Sequence, residues 1–253
     1  MTQKKQGMVI SISNHKGGVG KTTSAINIGA GLNKLGKKIL LIDLDAQANL
    51  SQSLGLKEKA KNIYGALRGE YVLEPIKVID GLDIIPSTRK LRTIEAELSA
   101  GAGIEFVLKE IMEPLIGQYD YILLDTPPSL GLLTMNAFVA SNIALIPLQS
   151  EYLALQGLES LLDISSQVKK RLNPTFKIGG IFLTRYNHQK RLNRSILDSI
   201  SDNFSTPVFK TKIRENISLA EAPTNELDIF RYEPKSNGAE DYLNLSNEIL
   251  DMV

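Results

Sequence analysis

The 253-residue chain has no cysteine. That excludes disulfides, a thiolate zinc centre and any cysteine-ligated iron–sulfur cluster. No apolar stretch approaches the ~18 residues that a bilayer crossing requires, and no secretory leader pattern opens the chain. Internal repeats, low-complexity tracts and long linkers are missing as well. Charge of one sign is not in overall excess, since 29 Lys and Arg offset 28 Asp and Glu to leave +1. With 43% hydrophobic and 23% charged residues the composition is that of an ordinary globule. Chains of this length commonly form one α/β unit, so a single domain over 1–253 is expected.

What is present is concentrated near the N-terminus. The apolar run Met8-Val9-Ile10-Ser11-Ile12 leads into Lys16-Gly17-Gly18-Val19-Gly20-Lys21-Thr22-Thr23, and a helical period follows over Ser24–Leu35. Strand, glycine-rich turn and helix is the context in which a phosphate loop operates. The glycines let backbone N–H groups close around phosphate oxygens, and the helix directs its positive end at them. Lys21 is spaced to reach the β- and γ-phosphates, and the Thr22 hydroxyl to ligate Mg²⁺. The sequence therefore predicts a nucleoside triphosphate site. His15 stands where the general pattern has its first glycine and reads as a loop-shaping residue, while Lys16 adds a second lysine.

Strand-like runs occur at Met8–Ser13, Ile39–Asp43, Leu82–Pro86, Tyr121–Asp125, Ile143–Pro147, Ile178–Thr184 and Val208–Phe209. Helical periodicity covers Ser24–Leu35, Leu91–Leu98, Ile104–Ile116, Leu155–Leu172, Leu192–Phe204 and Ala239–Met252. Continuous apolar runs such as Ile39-Leu40-Leu41-Ile42 belong to parallel strands covered on both faces. The expected fold is α/β: a doubly wound, mainly parallel sheet with helices on both faces and its ligand at the carboxyl edge. Two strands end in acids at that edge, Asp43-Leu44-Asp45 and Asp125-Thr126-Pro127-Pro128. An acid there, beside a phosphate loop, suits the orientation of a magnesium-bound water.

The loop K-G-G-x-G-K-T-T resembles the deviant Walker A loop of the ParA/MinD superfamily of ATPases. I-D-L-D-A-Q-A-N-L-S (42–51) is similar to the Walker A′ motif of ParA/Soj-type partition ATPases, and Y-D-Y-I-L-L-D-T-P-P-S-L (119–130) to their Walker B. P-L-Q-S-E-Y-L-A-L-Q-G-L (147–158), L-A-E-A-P (219–223) and Y-E-P-K-S-N-G-A-E-D-Y-L (232–243) match further family blocks. The resemblance spans nearly the whole chain and is nearest to the short, Soj-like form. Seven residues before the first strand leave no room for the N-terminal helix-turn-helix of longer plasmid versions. The cysteine-dependent nitrogenase and cluster-carrier relatives are excluded.

The resemblance implies an ATPase with ATP and Mg²⁺ as ligands. It gives Lys16 a role in trans across a nucleotide-sandwich homodimer, with Gly17 and Gly18 where the protomers meet. Asp45 corresponds to the acid that positions the attacking water, and Asp125 to the acid that holds Mg²⁺ through water. The adenine-side P-R-N of the family aligns with Arg214-Glu215-Asn216. Hydrolysis is expected to be slow until a ParB-type centromere-binding protein stimulates it, segregating a plasmid or chromosome in the cytoplasm, at the nucleoid. A MinD-like membrane ATPase would carry a basic amphipathic C-terminal helix, whereas this chain ends Asn247-Glu248-Ile249-Leu250-Asp251-Met252-Val253; no membrane partner is expected.

Charge supports a polyanionic partner. From Lys169 to Arg214 the chain has eleven Lys and Arg against Asp198 and Asp202, a local +9 that leaves −8 on the remainder. The arginines that bind non-specific double-stranded DNA in Soj-like proteins align with Gln189 and Ser218. Lys190, Arg191, Arg194 and Arg214 are their neighbours and are expected to supply the phosphate contacts.

Overall fold

The computed structural model describes residues 7–56, 61–98, 102–149, 154–187, 189, 204 and 206–252. Its strands are β1 Met8–Ile12, β2 Ile39–Asp43, β3 Ile76–Ile79, β4 Leu82–Ile85, β5 Tyr121–Asp125, β6 Ile143–Gln149 and β7 Lys177–Thr184. They form one sheet in the order β3-β4-β2-β5-β1-β6-β7. Every neighbouring pair is parallel except the β3–β4 hairpin. The principal helices are α1 Lys21–Lys34, α2 Asn49–Ser53, α3 Ile63–Leu67, α4 Ile94–Leu98, α5 Val107–Ile116, α6 Leu132–Ala140, α7 Ala154–Arg171 and a C-terminal helix Asn237–Met252.

Alternate residues of the central strands enter cores on opposite faces, as the pleat requires. Ile10, Ile39, Leu41, Leu123 and Leu145 join Ile28 and Leu32 of α1 and Tyr242, Leu245 and Ile249 of the C-terminal helix. On the other face, Leu40, Ile42, Ile122 and Leu124 meet Leu108 and Met112 of α5 and Ala137 of α6. Ala144, Ile146 and Ile181 pack with Leu158, Leu161 and Val168 of α7. Each wholly buried Leu or Ile contributes about 1.5–3 kcal/mol, so this two-faced burial fixes the sheet on which the site is built. The expected doubly wound sheet is the observed one.

The differences have physical causes. β3 was not expected; it is a half-buried edge strand paired only through the Asp80-Gly81 turn. Nor was α6, whose sequence is apolar all round because it is buried almost throughout, so no helical stripe shows. Val208 makes an isolated bridge to Ile181 instead of a strand. The expected helix Leu192–Phe204 lies outside the described residues, Phe204 apart. α1 begins at Lys21, three residues earlier than its apolar period, directly after the left-handed Gly20.

Candidate nucleotide-binding site

β1 runs from the sheet centre into the loop that precedes α1. Gly18 and Gly20 have φ of +76° and +90°, a region that side chains disfavour, and these two turns reverse the chain. A Cβ at Gly17 or Gly18 meets nothing within 4 Å, so both glycines face open space. The loop is held from both flanks. Asn14 donates its Nδ2 to the Pro147 carbonyl at 2.7 Å and accepts the Lys16 N–H at 2.9 Å. The Thr184 hydroxyl, at the end of β7, donates to the Val19 carbonyl at 2.8 Å. Lys21 Nζ reaches back to the Lys16 carbonyl at 3.1 Å. Burial lowers the Lys21 pKa, while Asp125 and Asp45 act in the opposite sense.

Three carboxylates lie at the carboxyl ends of β2 and β5. Both oxygens of Asp125 are buried and close no hydrogen bond of good geometry, although the Thr22 hydroxyl lies nearby. Burial, then the neighbouring Asp43, raise its pKa well above the usual carboxylate range, against the pull of the Thr22 hydroxyl and Lys21. Asp43 is also fully buried and is pushed up to about 6, chiefly by desolvation. It accepts the Ser51 N–H at 2.9 Å, the Ser51 hydroxyl at 2.6 Å and the Asp45 N–H at 3.1 Å. Asp43 thereby ties down the loop that carries Asp45. Asp45 itself lines the cavity and accepts the Gln47 N–H at 2.9 Å.

The loop opens onto a cavity of about 790 Å³. Gly17 to Thr23 form one wall, Asp45, Gln47 and Asn49 a second, and residues 213–217 the far end, with Thr184 and Arg185 joining it to the loop. The structure thus brings Gly17, Gly18, Val19, Gly20, Lys21, Thr22, Thr23, Asp45, Arg214 and Asn216 to one cavity, with Asp125 buried beneath Thr22 and Lys21. Glycines without Cβ crowding, a buried lysine and a buried carboxylate fit a magnesium-bound triphosphate.

A family model described as "AAA domain" matches residues 7–178. The sporulation initiation inhibitor protein Soj of Bacillus subtilis is 42% identical over 96% of this chain and 98% of its own. The chain belongs to the ParA/Soj family of partition ATPases. Among solved structures, a cobyrinic acid a,c-diamide synthase of Mycobacterium smegmatis with a bound ATP analogue and magnesium has TM-score 0.88 at 32% identity, covering 96% of this chain and 94% of that one. A plasmid partition protein of Borrelia burgdorferi bound to AMPPNP has TM-score 0.82 at 27% identity, covering 98% and 100%.

The expected DNA-contacting residues fare differently. Lys190, Arg191 and Arg194 lie outside the described residues. Arg214 lies among the described residues, where its partly exposed guanidinium is paired with Asp241 and Glu240. The basic segment also divides. Lys169, Lys170 and Arg171 end α7 and Lys177 begins β7, at the edge of the sheet away from the cavity. Arg214 lines the cavity, and Lys212 Nζ lies 5.2 Å from the centre of the Tyr186 ring. Sequence reasoning named Asp43 only as an acid ending an apolar strand and gave it no part in holding the loop that carries Asp45. It passed over Thr184 and Tyr242, which line the cavity with no local motif.

Proposed function

We propose that this chain is a magnesium-dependent ATPase that, with ATP bound, forms a sandwich dimer, binds DNA without sequence preference and releases it on hydrolysis. The observation that carries this reading is the cavity itself, with the phosphate loop, Lys21 and Asp45 converging on it beside a buried Asp125. Backbone N–H groups of the loop and the N-terminus of α1 bind the phosphates, and Lys21 supplies positive charge to the transferring group. Thr22 and Asp125 are the residues to hold Mg²⁺, which when bound spreads the charge developing on the phosphate oxygens. Asp45, anchored by Asp43, orients the attacking water.

The exposed, side-chain-free Gly17 and Gly18 leave the mouth open to a second chain, which supports the role of Lys16 in trans. Two chains side by side double the phosphate contacts made to DNA, so binding follows the nucleotide state. Without a fully positioned water and an added positive group, intrinsic turnover is slow, about 10⁻³ s⁻¹ or below. A ParB-type centromere-binding partner accelerates it, and the cycle moves a plasmid or chromosome through the nucleoid.

Fluorescence anisotropy on random-sequence duplex DNA tests the scheme with ATP, ADP or no nucleotide, for wild type and Lys16→Ala. Binding is expected with ATP alone, lost in Lys16→Ala. Equal weak binding in all three states overturns the link between nucleotide and DNA.

A further inference from the structure

The far end of the cavity is a wall without regular structure of its own. Residues 213–217 are held on one side by the end of β7, where Ile213 N–H donates to the Leu183 carbonyl at 2.8 Å and Tyr186 N–H to the Ile213 carbonyl at 2.9 Å. On the other side the C-terminal helix holds the wall and its approach through two acids seven residues apart, hence two turns apart on one face. Glu248 accepts the N–H groups of Lys210 and Thr211 at 3.0 and 2.9 Å. Asp241 accepts the Arg214 N–H at 2.8 Å and both Nε and Nη2 of its guanidinium, Nη2 at 2.6 Å. The Asp241 side chain is only 7% exposed, so its charge depends on that arginine.

The same helix also touches the opposite wall. Tyr242, next to Asp241, bonds its hydroxyl to Ser24 at 3.0 Å, and the Ser24 N–H donates to the Gly20 carbonyl at 2.8 Å. One helix therefore sets the spacing between phosphate loop and nucleoside wall. Arg214 stands where the resembled adenine-side segment has proline, which could not make this guanidinium contact.

We propose that Asp241, acting through Arg214, is a positioning residue that fixes the nucleoside wall and governs recognition of base and ribose, leaving phosphate recognition to the loop. The inference rests on the nucleotide-site reading above. Directional contacts to the base tolerate little displacement, and a wall freed by about 1 Å loses them. Phosphate contacts come from the other wall and keep their geometry. Arg214→Lys keeps the charge but not the two-point fork, so it weakens the clamp without emptying it.

Calorimetric titration of the full chain with magnesium-ATP and with magnesium-tripolyphosphate, which has no nucleoside, tests this for wild type, Asp241→Asn and Arg214→Lys. The expected result is an ATP Kd raised about tenfold in Asp241→Asn and less in Arg214→Lys, with the tripolyphosphate Kd unchanged in both. A change of equal size for both ligands, as a loosened fold would give, overturns the proposal, as does an unchanged ATP Kd. If Asp241→Asn fails to fold, the Arg214→Lys pair of titrations decides on the same criterion. Wild type binding neither ligand removes the nucleotide-site reading itself, an outcome distinct from the loss of discrimination.

Discussion

Asp43 and Asp125 stand opposite each other in register at the carboxyl ends of β2 and β5, both wholly buried. Burial, and for Asp125 the neighbouring Asp43, push both pKa values up in the nucleotide-free protein, with Lys21 as the nearby cation. The fold carries this unfavourable pair for the sake of the site it builds.

Stability without nucleotide is therefore expected to fall as the pH rises. Asp43 titrates near 6 in the folded chain and near 3.9 when unfolded, so between those values the folded state holds the extra proton. The loss sets in above the unfolded value and continues until the folded carboxyl has titrated, and Asp125 shifts in the same direction. Urea unfolding of wild type and Asp43→Asn from pH 4 to pH 8 checks it. The wild-type midpoint should drop relative to the variant, and parallel curves would sink the idea.

Asp125→Asn is expected to separate stability from activity. Replacing a buried acid that is costly to ionise by a neutral amide of the same shape raises the unfolding midpoint of the nucleotide-free protein at pH 7.5. In the proposed scheme the same change deprives Mg²⁺ of its acid, and steady-state ATP turnover should fall by about 100-fold or more. A variant both less stable and fully active would contradict the assigned role.

Lys21→Met and Asp45→Ala should fail in different ways. In the proposed scheme Lys21 meets the phosphates in the ground state as well as in transfer, so its loss is expected to weaken nucleotide binding and turnover together. Asp45 is there assigned to the attacking water, so Asp45→Ala is expected to keep ATP binding within about threefold while turnover drops by about 10²-fold or more. Fluorescent-nucleotide binding read beside phosphate release distinguishes the two patterns.

Phe138→Ala probes the core away from the site. Its ring stacks on Phe176 with centroids 4.9 Å apart, and both side chains are wholly buried. Truncation should lower unfolding free energy by about 3–5 kcal/mol. ATP affinity of the folded fraction, measured well below the melting temperature, should not change.

The central strands and the phosphate loop were legible because their signals are local. Ile39–Ile42 and Tyr121–Leu124 are unbroken apolar runs, and the loop is a contiguous string between strand and helix. β3 escaped because four half-buried residues at an edge carry little pattern. α6 escaped because burial nearly all round erases periodicity. Asp45 and Asp125 followed from strand ends and resemblance, but the Asp241–Arg214 clamp joins residues 27 apart on different elements. No spacing rule within either element announces such a pair, and the same holds for Ser24 with Tyr242, 218 residues apart.

Helix α1 bears on the order in which this chain becomes competent. It contains Gly29, where a Cβ would come within 2.7 Å of Leu41, and Gly31, where one would collide with the Ser246 hydroxyl. Two glycines inside 14 residues make it a poor helix in isolation, each lowering its propensity by up to about 1 kcal/mol relative to alanine. Its rigidity is borrowed from β2 on one side and from the last 16-residue helix on the other. A nascent chain that has already emerged through its phosphate loop, but not yet through residue 252, lacks that second support. The loop that precedes α1 is thus expected to firm only after the helix Asn237–Met252 has packed against α1, well after the motif itself has appeared.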